Sequence, residues 1–554
     1  MLRTATALLF FIVSVAVGTC VVSAAAGTFV VSLSGGAGTF DVSRAADTFD
    51  IGGGPDQPPR AGRNVVVFIS DDHGRDTGAY GNPVVQTPHL DALAAEGTLF
   101  THAFATTASC SASRSVVLSG LHNHSTAQYG HEHDFHHFRS YERIRSLPQL
   151  LSEAGYRTAS IGKYHVAPEE VYRFGQYLEG DSRSPVEMAE NARAFIESED
   201  DQPFFLYFAT SDPHRGDDLE PDQVGRDWRD KMGAGTWSAA PGAEPRTAQV
   251  GPYPPNSFGN RGTGYPGITE VTYDPGEVIV PDWLPDTPAT RVELAQYYQS
   301  ISRIDQGFGY LVQILKDAGV YDETLIIYMS DHGIAMPGAK TTVYEPGLRS
   351  PLIVRHPDAP RRGIVSDAMI SWVDITPTIV DFADVEPPVY DQNITNSEIH
   401  RNVDLPEEYG FHGRSFLPVL YDDHAAGWDE INASHTFHEI QMYYPMRVVR
   451  DRKYKLIWNV AHGLAFPFAT DLWSSATWQS VYQEGRDAMY GTKSVRDYVN
   501  RPAFELYDMS TDPHESTNIA ADPKYADVLE KYKARLHDFQ VRTSDPWVLK
   551  WYYE

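Results

Sequence analysis

One short segment concentrates the chemistry this chain could do: Cys110-Ser-Ala-Ser-Arg114, followed by Ser-Val-Val-Leu-Ser-Gly120. The segment reads as a helix that opens on the thiol. A cysteine in that position has its thiolate favoured by the helix dipole and by the nearby arginine. Taken alone, a buried structural cysteine would be the plainer reading, but other reactive groups surround this one. The apolar run Asn64-Val-Val-Val-Phe-Ile-Ser70 ends on Asp71 and Asp72, and Thr324 to Ser330 ends on Asp331 and His332. Such an oxygen-rich set suits a hard divalent cation, calcium before magnesium. Any one aspartate could equally cap a turn. Two similar pairs at two strand ends favour ligands.

Lys163 and His165 follow another strand-like run in Ile161-Gly-Lys-Tyr-His165, and His214 follows a third in Ser211-Asp-Pro-His-Arg215. Six histidines, His122, His124, His131, His133, His136 and His137, fall within 16 positions. Their spacing has no order that predicts a zinc site, so loop histidines lining a pocket are expected.

These groups need strand ends to hold them. The apolar runs alternate with helix-like stretches, the pattern of crossover units around a mostly parallel sheet, whose carboxyl ends collect ligands. Helices are expected over Pro88 to Gly97, Leu147 to Gly155, Pro185 to Glu199 and Arg291 to Gly319. Strands are expected over Arg157 to Gly162, Pro203 to Ala209, Thr324 to Ser330 and Pro351 to Arg355. Asp217 to Pro285, rich in Gly, Pro, Asp and Trp, reads as an irregular insertion or lid rather than core. The fold class expected is therefore α/β, a large mixed, mostly parallel sheet flanked by helices. A smaller C-terminal α+β subdomain, residues 431–554, would follow a catalytic domain of 63–430. Met446 to Val460 and Ala503 to Met509 look like its antiparallel strands, and Lys524 to Val541 like its helix.

The 554 residues carry 45 basic and 74 acidic side chains, a net charge of −29, which argues against a nucleic-acid binder. Residues 1–26 read as an export leader: Met1-Leu-Arg, an apolar stretch, then small residues. No later segment is expected to span a membrane. Residues 27–62 read as a flexible spacer. Of two cysteines, Cys20 lies in the leader, so the mature chain would keep Cys110 alone and no internal disulfide. Chemistry explains Cys110 better than stapling. Three glycosylation-type sequons occur, at Asn123, Asn393 and Asn432.

Together these residues resemble the type I sulfatases of the alkaline-phosphatase superfamily, whose signature is Cys-x-Pro/Ala-Ser-Arg, and within them the heparan N-sulfatase (sulfamidase) branch. Segments supporting the branch are Asp134-Phe-His-His-Phe138, Ser211-Asp-Pro-His-Arg215, Tyr444-Pro-Met-Arg447 and Ser544-Asp-Pro-Trp547. The resemblance implies that Cys110 is converted to Cα-formylglycine by a maturation enzyme and acts as an aldehyde hydrate. It implies that Asp71, Asp72, Asp331 and His332 hold calcium, and that Arg114 and Lys163 orient the hydrate. Lys340 would contact sulfate, His214 would protonate the leaving group, and His165 would deprotonate the hydrate to expel sulfate. The substrate would be a sulfated saccharide attacked from its end, with His137, Asp212 and His438 as candidate contacts. The resemblance also implies a homodimer and a periplasmic, extracellular or lysosomal setting. Ala112 stands where Pro is more usual.

Three other readings stay open. One is an O-sulfatase on an algal polysaccharide such as ulvan, and another a phosphonate or phosphodiester hydrolase of the same superfamily. The third is a glycan-binding protein without turnover, which would keep Cys110 unmodified.

Overall fold

The residues of Asn64–Ser70 point alternately to two apolar layers, as a strand buried on both faces requires. In the computed structural model, which describes residues 63–198, 202–216, 256–391 and 408–553 and the backbone of three strands before them, this strand is central to an eight-stranded sheet. The order is Ile364–Ser371, Thr98–Phe104, Leu352–Arg355, Thr324–Ser330, Asn64–Ser70, Phe204–Ala209, Arg157–Gly162 and Gln176–Leu178. All but Leu352–Arg355 run in one direction.

Val65, Val67 and Ile69 pack with Val116, Val117 and Leu118 of the helix Cys110–Ser119 and with the helices Leu147–Glu153 and Ile375–Phe382. Val66 and Phe68 face the helices Pro88–Glu96, Pro185–Ile196 and Pro288–Asp317. The chain is thus an α/β protein with helices on both faces of a mixed, mostly parallel sheet. A second sheet, antiparallel, is ordered Glu430–His435, Met446–Asp451, Tyr454–Asn459 and Phe504–Asp508. One of its faces carries the helix Ala526–Arg542 through Tyr532, Leu536 and Phe539.

Two strands escape the sequence pattern. Thr98–Phe104 carries Thr101 and His102 in mid-strand, and Ile364–Ser371 is interrupted by a register shift between Ser366 and Met369. The insertion also differs from expectation. Residues 217–255 lie outside the described residues, but 256–285, though irregular, buries Phe258, Tyr265, Val278 and Leu284. Apolar burial on that scale makes this part a piece of the core rather than a lid.

Met1–Ala61 forms a unit of its own, in which Phe10–Val15, Gly18–Ala25 and Thr28–Leu33 make an antiparallel sheet. Thr28–Leu33, inside the expected spacer, is therefore a strand; residues 34–62 lie outside the described residues. Among the described residues no helix is long and apolar enough to cross a membrane. Asn393 lies outside the described residues, and Asn123 is fully buried, which leaves no room for a glycan on the folded chain.

The second sheet is tied to the C-terminal segment by a buried pair. Arg447 Nε and Nη2 donate to Asp545 Oδ2 and Oδ1 at 2.5 and 2.9 Å, and both side chains are wholly enclosed. Burial raises the Asp545 carboxyl, but Arg447 outweighs it and holds the group well below the usual carboxylate range. Asp545→Ala takes the carboxylate from Nε and Nη2 and leaves Nη1 its carbonyl partners, His435 and Met446, so a buried charge goes uncompensated and urea unfolding is expected to show a loss of about 3–5 kcal/mol. A loss near zero would mean that water reaches Arg447.

Candidate active site

The parallel register sets Ser70 opposite Ser330, so Asp71 and Asp331 leave the sheet side by side. The Asp331 N–H donates to the Ser70 carbonyl at 3.0 Å, and the Asp72 N–H donates to Asp331 Oδ1 at 3.0 Å. Asp72 turns back through a left-handed backbone, φ 63°, which aspartate tolerates better than most residues. Asp71, Asp72 and Asp331 are fully buried, and one oxygen of each lies within 4.8 Å of the others.

Buried carboxylates this close repel, and three cations answer them. Arg114, one turn into the helix Cys110–Ser119, donates from Nε to Asp331 Oδ2 at 3.1 Å and from Nη2 to Asp71 Oδ1 at 3.4 Å. Lys163 Nζ donates to Asp71 Oδ2. Its position depends on Gly162, at φ 84°, where a Cβ would come 2.1 Å from the Ala209 carbonyl oxygen. Lys340 Nζ donates to Asp72 Oδ2 at 2.8 Å and to Asp471 Oδ2 at 3.1 Å. Burial raises the Asp71 carboxyl, but Lys163, His214 and Arg114 outweigh it and hold the group well below its ordinary range. Burial and the Asp71 charge push Asp331 up to about 6.

Cys110 opens the helix as the sequence suggested, with Sγ 3.4 Å from His332 Nε2 and 3.8 Å from Asp72 Oδ1. The thiolate expectation does not hold. Burial pushes the thiol well above its ordinary value, more than Lys163 can offset, so Cys110 stays protonated. A helix dipole contributes about 0.3–1 kcal/mol, too little to hold a charge in a fully enclosed place.

His214 Nε2 lies 2.8 Å from Lys340 Nζ and 3.8 Å from Asp72 Oδ2, and burial and Lys340 lower its pKa to about 4. His165, left-handed at φ 56°, has no hydrogen-bond partner on either ring nitrogen. Burial, then Lys163 and neighbouring histidines, hold it neutral. Non-glycine residues in this conformation carry strain, and here two of them, Asp72 and His165, sit at one site.

The remaining sequence candidates divide. His438 is buried beside the start of the helix Cys110–Ser119, with Nδ1 3.0 Å from Ser109 Oγ and Nε2 3.0 Å from His131 Nε2. Asp212 is not open to a ligand: Arg183 Nη1 and Arg303 Nε donate to its two oxygens, each at 2.6 Å. It anchors the loop that carries His214. His137 is exposed, while its neighbours His131, His133 and His136 gather near His165 instead. Sequence reasoning missed Asp471, on the short helix Thr470–Trp473, because no strand end marks it. Lys340 pulls its carboxyl down to about 2 against the effect of burial.

Three carboxylates converging from two strand ends fit a hard dication. His332 Nδ1 faces the Gly333 carbonyl at 3.0 Å, which leaves Nε2 3.2 Å from Asp72 Oδ1 as a fourth donor.

The fold and this centre set a cluster of buried carboxylates, of a kind that suits a dication, against a helix-borne cysteine, an arrangement that suits a hydrolase. Residues 63–385 match the family model described as Sulfatase, and the chain belongs to the sulfatase family. It hydrolyses sulfate esters or sulfamates. The chain is 39% identical over 500 residues to the human N-sulphoglucosamine sulphohydrolase, covering 88% of this chain and 91% of that protein. An ulvan-active sulfatase of Formosa agariphila is 24% identical, over 87% of this chain and 75% of that protein. A structure of a protein in complex with its substrate D-glucosamine-2-N,6-O-disulfate shares the fold, with a TM-score of 0.56 at 20% identity over 88% of this chain and 99% of that one.

A cation held only by the folded protein adds about 2.7 kcal/mol of stability at a hundredfold excess over its Kd. If these carboxylates hold calcium, the ion raises Tm, and Asp331→Asn removes most of that rise while still folding without calcium, as read by calorimetry. An unchanged rise would put the cation elsewhere.

Proposed function

We propose that the chain is a calcium- and formylglycine-dependent sulfamidase that releases sulfate from a terminal N-sulfoglucosamine of a sulfated saccharide. The observation that carries this is Cys110 at a helix start, facing three buried carboxylates and ringed by Arg114, Lys163 and Lys340. The 39% identity to the human enzyme supports the choice of N-sulfate over O-sulfate.

Asp71, Asp72, Asp331 and His332 would hold calcium, whose charge supports the sulfate oxygens. Conversion of Cys110 would supply an aldehyde hydrate, with one hydroxyl to attack sulfur and a second through which sulfate is released. Lys163, Lys340 and Arg114 offset the negative charge that gathers on the sulfate oxygens in the transition state. Burial is the main cause that keeps His214 neutral, and a sulfate bound against Lys340 would offset the next one, favouring the protonated imidazole that passes its proton to the departing nitrogen. His165, neutral and without partners, accepts the proton given up when sulfate leaves.

The net charge of −29 does not oppose an anionic substrate, because at physiological salt the Debye length is about 8 Å and the local cations decide. It does disfavour a long polyanion lying across the surface. End-on attack follows. In this reading residues 1–26 direct export, Ala112 bears on which maturation enzyme converts Cys110, and two copies of the chain form the working protein.

The test measures sulfate release from N-sulfoglucosamine beside 6-O-sulfated N-acetylglucosamine, with conversion of Cys110 confirmed by peptide mass. Release from the N-sulfo sugar alone is expected; release from the O-sulfo sugar alone rejects the sulfamidase reading and leaves an O-sulfatase. His214→Gln is expected to slow sulfamate hydrolysis about 10²–10⁴-fold. An aryl sulfate, whose leaving group needs no proton, should lose far less. Equal losses on both substrates would remove His214 as the acid.

A further inference from the structure

Beside the carboxylate centre, three imidazoles stand in a near-equilateral group. Ring centroids are 4.9 Å apart for His131 and His133, 4.9 Å for His131 and His165, and 4.8 Å for His133 and His165. One nitrogen of each lies within 4.8 Å of the other two. We propose that this triad binds a divalent transition-metal ion, zinc being the occupant, and that occupancy stops sulfate release by capturing His165.

The hydrogen bonding leaves these rings prepared for a metal. His131, 6% exposed, has its Nε2 against His438 Nε2, while its Nδ1 has no partner. His165 has no partner on either nitrogen. His131 is buried and His165 half-buried, and their three unmatched ring nitrogens, all shielded from solvent, are costly unless something coordinates them. His133 Nδ1 pairs with Asp134 Oδ2 at 3.0 Å, the carboxylate support that fixes a ligating histidine and leaves its other nitrogen for the metal. The His133 side chain is 42% exposed, which gives an ion a way in. Donor type selects the ion: three imidazoles suit zinc, whereas the all-carboxylate cluster nearby suits calcium.

Zinc with Zn–N of about 2.1 Å needs nitrogens about 3.4 Å apart, so the rings close slightly, and the partly exposed His133 can turn to do so. The fourth position stays open to water or an anion. Lys163 and Arg114 beside His165, and Lys340 and Lys163 beside His131, disfavour a dication, whereas Glu132 and Asp134 favour one. That balance points to a regulatory affinity rather than a permanent structural ion. Inhibition rests on the proton role proposed for His165, whereas the metal site does not.

The experiment uses the full chain saturated with calcium and titrates Co²⁺ as the probe. Four-coordinate, nitrogen-ligated cobalt absorbs strongly in the visible, which an octahedral oxygen site does not. One equivalent is expected in the unsubstituted protein, displaced by Zn²⁺ and lost in both His133→Ala and His133→Gln. In parallel, Zn²⁺ should inhibit sulfate release from N-sulfoglucosamine. Half-inhibition should move at least tenfold higher in the His133 variants, each normalised to its own zinc-free rate. Absence of the cobalt band, or its survival in both variants, overturns the site. A His133-dependent band with turnover indifferent to zinc overturns the inhibition and the proton role of His165. If the sugar is not turned over even without zinc, the sulfamidase reading fails while the cobalt result still decides the metal site.

Discussion

Three carboxylates buried together are the constraint on which this structure turns. The register that sets Ser70 opposite Ser330 brings Asp71 and Asp331 side by side, and the left-handed turn at Asp72 adds the third. Such a group is tolerable only if positive charge is built in around it. Arg114, Lys163 and Lys340 provide that charge from three separate parts of the chain. The helix Cys110–Ser119, entirely buried, is held where Arg114 can reach, and Ser113 Oγ donates to the Asp331 carbonyl. On the proposed reading the same cations receive the anionic substrate, so one electrostatic solution would serve both folding and chemistry.

Much of the fold was legible because parallel strands buried on both faces must be apolar throughout. Asn64–Ser70, Phe204–Ala209 and Thr324–Ser330 could hardly be read otherwise. Thr98–Phe104 and Ile364–Ser371 were not legible, since polar residues and a bulge break the pattern while neighbouring strands supply the missing context. The irregular 256–285 segment was misread for a related reason. Composition reports local flexibility, but Phe258 and Leu284 are buried by partners distant in sequence.

The site was legible where it sits at strand ends and obscure where it depends on distant pairing. Asp71, Asp331, Lys163 and His214 each follow a strand, and they meet. Asp212, two residues before His214, is instead held by Arg183 and Arg303, which no local pattern reveals. Asp471 supports Lys340 from a four-residue helix with no signature. The state of Cys110 depended on a competition of magnitudes, helix dipole against complete burial, that spacing alone does not weigh.

The enclosure of Cys110 also sets an order of events. Its side chain has no exposed surface, and the helix behind it is buried along its whole length. On the proposed reading, a second enzyme that oxidises this residue would have no route to it once the sheet and helices have closed. Conversion would then belong to the interval before that closure, when the chain is still extended. A molecule that folds first would be sound in structure and permanently inert, so the yield of working protein would be decided by a race between folding and modification rather than by stability.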